Sequence, residues 1–249
     1  MLRLISLLVL GCCVCGCAVS GPSREDMAKS HYQLAQSYMA TRDYSSALEE
    51  LLEGVRIQPS NPDMHNLIAQ TYQHKAAFEK AETHYLKALK LKPEDPYFQN
   101  NLAALYLDMH RWEEAATYFR KAADNLVFKY PVRALTGLGV AYYRAGEYPE
   151  AVMAYKEALQ QFPDNLTVLS LLGQCYAKME KYALAEEVFE RALDIDPLDS
   201  ALRFEYARTL LKHDKNEKAR EEFREIANRE DQTKLGKEAR EYLMMLEEN

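Results

Sequence analysis

The sequence is short of what a turn-rich β fold or a fibrous protein needs. Nine glycines and nine prolines are spread over 249 residues, too few for closely spaced strand connections or a collagen-like segment. Positive charge is in deficit: 31 Lys and Arg stand against 38 Asp and Glu, a net charge of −7. Nucleic-acid binding asks for the opposite balance, because each neutralised phosphate takes a cation, so no nucleic-acid partner is expected. Cysteine is scarce beyond residue 17, where Cys175 alone follows, so no internal disulfide framework is expected. The run Leu4 to Leu10 is apolar but falls well short of the roughly 20 residues that a membrane-spanning helix takes. What is present, 48% hydrophobic and 28% charged residues with 17 tyrosines, is the composition of a folded, well-packed chain.

The opening residues read as a targeting segment. Met1-Leu2-Arg3 supplies a short cationic start, the apolar run follows, and the segment ends in small residues and four cysteines. A metal or disulfide cluster at 12, 13, 15 and 17 fits poorly inside an apolar signal. Val14-Cys15-Gly16-Cys17 resembles a bacterial lipobox, with Cys17 as the residue to be acylated. Val9-Leu10-Gly11-Cys12 is the alternative, behind a shorter apolar core. No A-x-A-like site follows, as an ordinary cleaved signal would require. Residues 1–16 are then the signal peptide, and 17–27 the lipidated Cys and a polar tether. The acyl chains, palmitate among them, would anchor the chain at about 0.8 kcal/mol per buried methylene. By resemblance to Gram-negative lipoproteins, Ala18 in place of Asp implies the outer membrane, facing the periplasm.

The remainder is one pattern written six times. A small residue followed three places on by a large one recurs at Ala35/Tyr38, Ala69/Tyr72, Ala103/Tyr106, Gly139/Tyr142, Gly173/Tyr176 and Ala207/Leu210. Twelve residues after each small residue comes Ala47, Ala81, Ala115, Ala151, Ala185 or Ala219. Four further on stands Leu51, Tyr85, Phe119, Tyr155, Phe189 or Phe223. Pro59, Pro93, Pro163 and Pro197 close four of the units. This pattern resembles the tetratricopeptide repeat, in which small positions let two antiparallel helices approach and large ones fill the seam. The expected fold is all-α: a right-handed superhelical solenoid of six helix pairs plus a C-terminal capping helix. The units are placed at 28–61, 62–95, 96–131, 132–165, 166–199 and 200–231, and the cap at 233–247. The third carries two extra residues near Asn125 to Pro131, giving an apolar, aromatic loop that is either a partner contact or a local repacking.

Catalytic motifs are missing: there is no HExxH, no GxSxG and no phosphate-binding GxxxxGK[ST]. The six histidines form no ligand set at helical spacing, and Cys175 reads as a small buried hydrophobe. No enzyme activity, cofactor, metal or small-molecule substrate is therefore expected. Binding falls to the groove lined by the first helices. One row reads Tyr32, Asn66, Asn100, Thr136, Ser170 and Phe204, and the next Gln36, Gln70, Ala104, Val140, Gln174 and Arg208. Amide side chains both donate and accept, which suits an extended peptide backbone. Candidate contacts, concentrated in the first three repeats, are Tyr32, Gln36, Asn66, Gln70, His74, Tyr97 and Asn100. The outer side presents Trp112, Tyr118 and Phe128.

An acylated Cys, a tether, six such repeats and a terminal helix together resemble the pilotins of the PilF/PilW/Tgl family, outer-membrane lipoproteins of type IV pilus biogenesis. Asn100-Asn101 and the lengthened connection ending Tyr130-Pro131 are the more specific points of likeness. The resemblance implies a partner, the secretin subunit, whose membrane insertion and multimerisation the protein would promote. A generic periplasmic adaptor lipoprotein for envelope enzymes is the alternative.

Overall fold

The computed structural model describes residues 23–247. The proposed signal peptide, Cys17 and its alternative Cys12 lie outside the described residues, as does the tether up to 22. Thirteen helices and no strand occur among the described residues. The first pair is α1 (Arg24–Ala40) with α2 (Tyr44–Ile57), then α3 (Pro62–His74) with α4 (Phe78–Leu91), and α5 (Pro96–Asp108) with α6 (Trp112–Ala123). There follow α7 (Pro131–Ala145) with α8 (Tyr148–Gln161), α9 (Leu166–Lys178) with α10 (Tyr182–Ile195), α11 (Ser200–Lys212) with α12 (Asn216–Arg229), and a closing α13 (Lys234–Glu247). The fold is an all-α solenoid, as the repeat pattern implied. The end of the expected tether needs correcting, because residues 24–27 are helical. Ser23 caps α1 in a reciprocal box with Asp26, which starts the helix four residues earlier than the repeat spacing does.

The repeated residue types mark repeated contacts. The alanines at 47, 81, 115, 151, 185 and 219 are fully buried, and so are Leu51, Tyr155, Phe189 and Phe223. Where the small position is Gly139, an added Cβ would lie 2.3 Å from the Tyr155 ring; at Gly173 it would meet Phe189 at 2.7 Å. The two positions therefore face each other across one pair, and glycine lets these two pairs close further. Each pair turns through a residue of positive φ at Arg42, Ala76, His110, Gly146, Glu180 or Asp214. Only the fourth repeat supplies the glycine that this backbone favours. First helices begin on Asn61, Asp95, Asn165 and Asp199, each two residues past a repeat-closing proline and each accepting a backbone N–H of the new helix.

The chain divides at Pro59/Ser60 into two compact units. In the first, α1 and α2 pack together, and His31 Nδ1 lies 2.6 Å from Glu50. In the second, α3 to α13 pack in chain order. Within it the first helices also touch their counterparts in the next repeat, α3 to α5 and so on to α13, while the second helices make no comparable contact. The first helices thus form the tighter, inner wall. Repeats are tied by polar clamps at two junctions. Glu82 accepts from the Tyr106 hydroxyl at 3.0 Å and from Arg111 at 2.8 Å; the equivalent Glu186 accepts from Lys215 at 2.7 Å. At the third-to-fourth junction the same slots hold Ala116 and Glu147, and no such clamp exists.

Candidate functional site

In the second unit the candidate site is the wall made by the first helices α3, α5, α7, α9 and α11, whose outward positions recur once per repeat. In the first unit, Tyr32 is half-buried and Gln36 exposed on α1. On α3, Asn66 and Gln70 are half-buried and His74 is exposed at the last turn. The Asn66 carbonyl oxygen accepts from Asn101 on α5 at 3.1 Å, so this amide partly serves the contact between repeats. Tyr97 on α5 meets Phe128 edge-on at 5.1 Å and Tyr130 at 6.3 Å. Two expected groove residues require correction: Asn100 is 3% exposed and Phe204 7%. Phe204 is covered by Tyr242 of α13 and by Phe223, with ring centroids 5.7 and 5.5 Å away. Asn100 is buried with its side-chain oxygen unpaired. A free peptide-facing amide at that position is ruled out.

The lengthened connection after α6 divides its residues between two roles. Phe128 is buried in the core, which removes it from the outer surface where sequence had placed it, while Leu126 and Val127 are exposed. Asn125 holds the turn by donating to the Glu94 carbonyl at 3.0 Å and accepting from Val127 N–H at 3.1 Å. Nearby, Trp112 stands between two cavities of about 400 and 460 Å³. The first reaches Ala116, Arg120 and Tyr142, and the second Phe78, Leu107 and Val140. The small side chain that replaces the clamp glutamate leaves room here.

A third cavity, of about 340 Å³, opens on the inner wall of repeats four to six. Tyr143 and Tyr182 stand beside it, Ala177 lines it, and Lys178, Arg208 and Lys212 contribute positive charge. Arg208 is paired with Glu205 at 3.1 Å; Lys178 and Lys212 make no ion pair among the described residues. The sequence reading concentrated its candidates in the first three repeats; of this cluster its groove rows held Gln174 and Arg208 but not Lys178 and Lys212. The same 34-residue counting would have found them, since Lys178 and Lys212 occupy one slot of successive repeats.

Among the described residues no group of three or more His, Cys, Asp or Glu could hold a metal ion, and no helix is long and apolar enough to cross a membrane. Cys175 is fully buried, and burial pushes its thiol up to about 11, which keeps it protonated and unreactive.

Helix pairs of this length, with small residues at their crossings and a polar inner wall, define a helical repeat scaffold. Tetratricopeptide repeat models match residues 32–96, 96–164, 130–198 and 177–241, and the chain belongs to the tetratricopeptide repeat family. Its fold is similar to that of PilW, a widely conserved type IV pilus biogenesis factor, with a TM-score of 0.75 over 84% of this chain and 96% of that one at 20% identity. It is also similar to Pseudomonas aeruginosa PilF, with a TM-score of 0.71 over 86% of this chain and 97% of that one at 17% identity. At such identities the likeness is one of fold. Among curated proteins, anaphase-promoting complex subunit 3 of Schizosaccharomyces pombe is 27% identical over 90 residues. That match takes in 36% of this chain, which spans 14% of the relative's length.

Proposed function

We propose that this protein is a non-enzymatic, lipid-anchored scaffold of type IV pilus assembly, held through Cys17 at the periplasmic face of the outer membrane. It binds secretin subunits there and favours their multimerisation. The observation that carries the reading is the end-to-end correspondence of fold with both pilus proteins, which takes in 96% and 97% of those chains. The lipobox-like Val14-Cys15-Gly16-Cys17 supports the address. Physically, an anchored solenoid raises the local concentration of a subunit at the membrane and makes or breaks no bond.

The test is the amount of detergent-resistant secretin multimer in outer membranes of cells with and without the gene. The expected result is loss of multimer while monomer persists, with rescue by the wild type but not by Cys17→Ser. Unchanged multimer would remove the secretin role and leave an adaptor for other envelope proteins.

A further inference from the structure

The last turn of each first helix carries one outward residue at a fixed place in the repeat. Along α3 and α5 these are His74 and Asp108; along α7, α9 and α11 they are Arg144, Lys178 and Lys212, all three exposed. A basic residue in a last turn can simply complement the negative end of the helix. That need does not explain the column, because α1 and α5 have no basic residue in their last turns. The three cations also lack the partners that other surface charges in this chain find: none of them forms an ion pair among the described residues. In a chain of net charge −7 this leaves a positive strip on the inner wall. The cavity beside Lys178 and Lys212 is walled by Tyr143 and Tyr182, and its one carboxylate, Glu205, is already met by Arg208; Arg144 lines the neighbouring cavity together with Asp108.

We propose that repeats four to six bind an extended acidic peptide segment of a partner protein, with its carboxylates on Arg144, Lys178 and Lys212. The helices α7, α9 and α11 touch in series, and helices packed against one another generally lie about 8–10 Å apart. A polyproline-type helix repeats every three residues at about 3.1 Å per residue, so residues i, i+3 and i+6 share one face at nearly that interval. The matching occupant carries Asp or Glu at every third position. Its intervening residues lie against Tyr143 and Tyr182, as prolines do in aromatic grooves. The proposal rests on the scaffold reading above and names the chemistry of what the scaffold holds.

The experiment is a titration of the full chain with labelled peptides followed by fluorescence anisotropy. The probes are three Glu-Pro-Pro units, the same peptide with Gln for Glu, and one of identical composition with its Glu residues contiguous. The spaced Glu peptide is expected to bind more tightly than the contiguous one, and the Gln peptide not to bind. Lys178→Glu with Lys212→Glu should weaken binding at least tenfold, while Lys90→Glu on the outer helix α4 leaves it unchanged. Circular dichroism checks that both variants stay folded. Equal binding of the Glu and Gln peptides, no binding of any, or equal loss in Lys90→Glu overturns the proposal. So does equally tight binding of oligothymidylate or of phosphatidylglycerol vesicles, which would mark a general anion surface. The secretin multimer assay involves no peptide and no charge reversal, so the failure of either reading is seen apart from the other.

Discussion

Single residues in this array are judged by the partner they meet across a helix pair. Tyr155 is fully buried against Gly139, yet its hydroxyl has no hydrogen-bond partner. Its counterpart in the second repeat, Tyr85, donates to Gln73 at 2.9 Å. An unpaired buried hydroxyl costs about 1–3 kcal/mol, and Phe already fills the equivalent place at 119, 189 and 223. Tyr155→Phe is therefore expected to stabilise the protein by about 1 kcal/mol, a rise of roughly 2–4 °C in melting temperature for a chain of this size. A fall in melting temperature would mean that the hydroxyl is satisfied by bound water.

Elements matter here through what covers them. The final helix, α13, shields the end of the stack: Tyr242 lies flat on Phe223 at 4.7 Å and edge-on to Phe204, while Arg220 donates to the Leu246 carbonyl at 2.9 Å. Removing that ring by Tyr242→Ala should cost about 2 kcal/mol through lost burial and stacking. In a stack of nearest-neighbour contacts the damage stays local. Hydrogen exchange should quicken in α11 and α12 and stay as it was in α3 to α5; uniform quickening would show that the array unfolds as one block. The same logic explains what could be read from sequence. The helix pairs were legible because Gly139 with Tyr155, and Gly173 with Phe189, are contacts inside one repeat, and spacing alone encodes them. Exposure along the groove was not, because it depends on the next element over. Phe204 looked exposed and is covered partly by Phe223 of its own repeat and partly by Tyr242 of the helix beyond it. Leu126 and Phe128 sit two residues apart in one loop and end on opposite sides of the surface, a choice made by contacts with Tyr97 rather than by composition.

Across the whole molecule, titrating groups combine into one pH profile. Burial, then the nearby His65 and Lys87, lowers His84 to about 4; the His65 and His84 Nδ1 atoms lie 3.1 Å apart, so one ring must donate to the other. A histidine is normally near 6.5, so the unfolded chain takes up this proton first, and stability falls as pH drops from about 6.5 towards 4. Burial pulls the Glu186 carboxyl up, but hydrogen bonds from Lys215, His213 and Lys218 outweigh it and hold it low, so its contribution is present above the usual carboxylate range and lost below it. At the other end, burial raises the phenols of Tyr85, Tyr106, Tyr155 and Tyr206. Their contribution is full below about pH 10 and is lost above it. Burial likewise raises the Cys175 thiol, whose contribution begins to be lost above about pH 8.5, so melting temperature is expected to hold steady between roughly pH 7 and 8.5 and to fall on both sides. His84→Gln should flatten the upper part of the acid limb; an unaltered limb would discharge His84 from that role. The change from Asp108 on α5 to Arg144 on α7 has a further consequence. A wall that turns from negative to positive along its length distinguishes head from tail. A partner segment basic at one end and acidic at the other can lie along it in a single direction, so the order in which its residues meet the third and the later repeats is dictated by charge before any side chain is recognised.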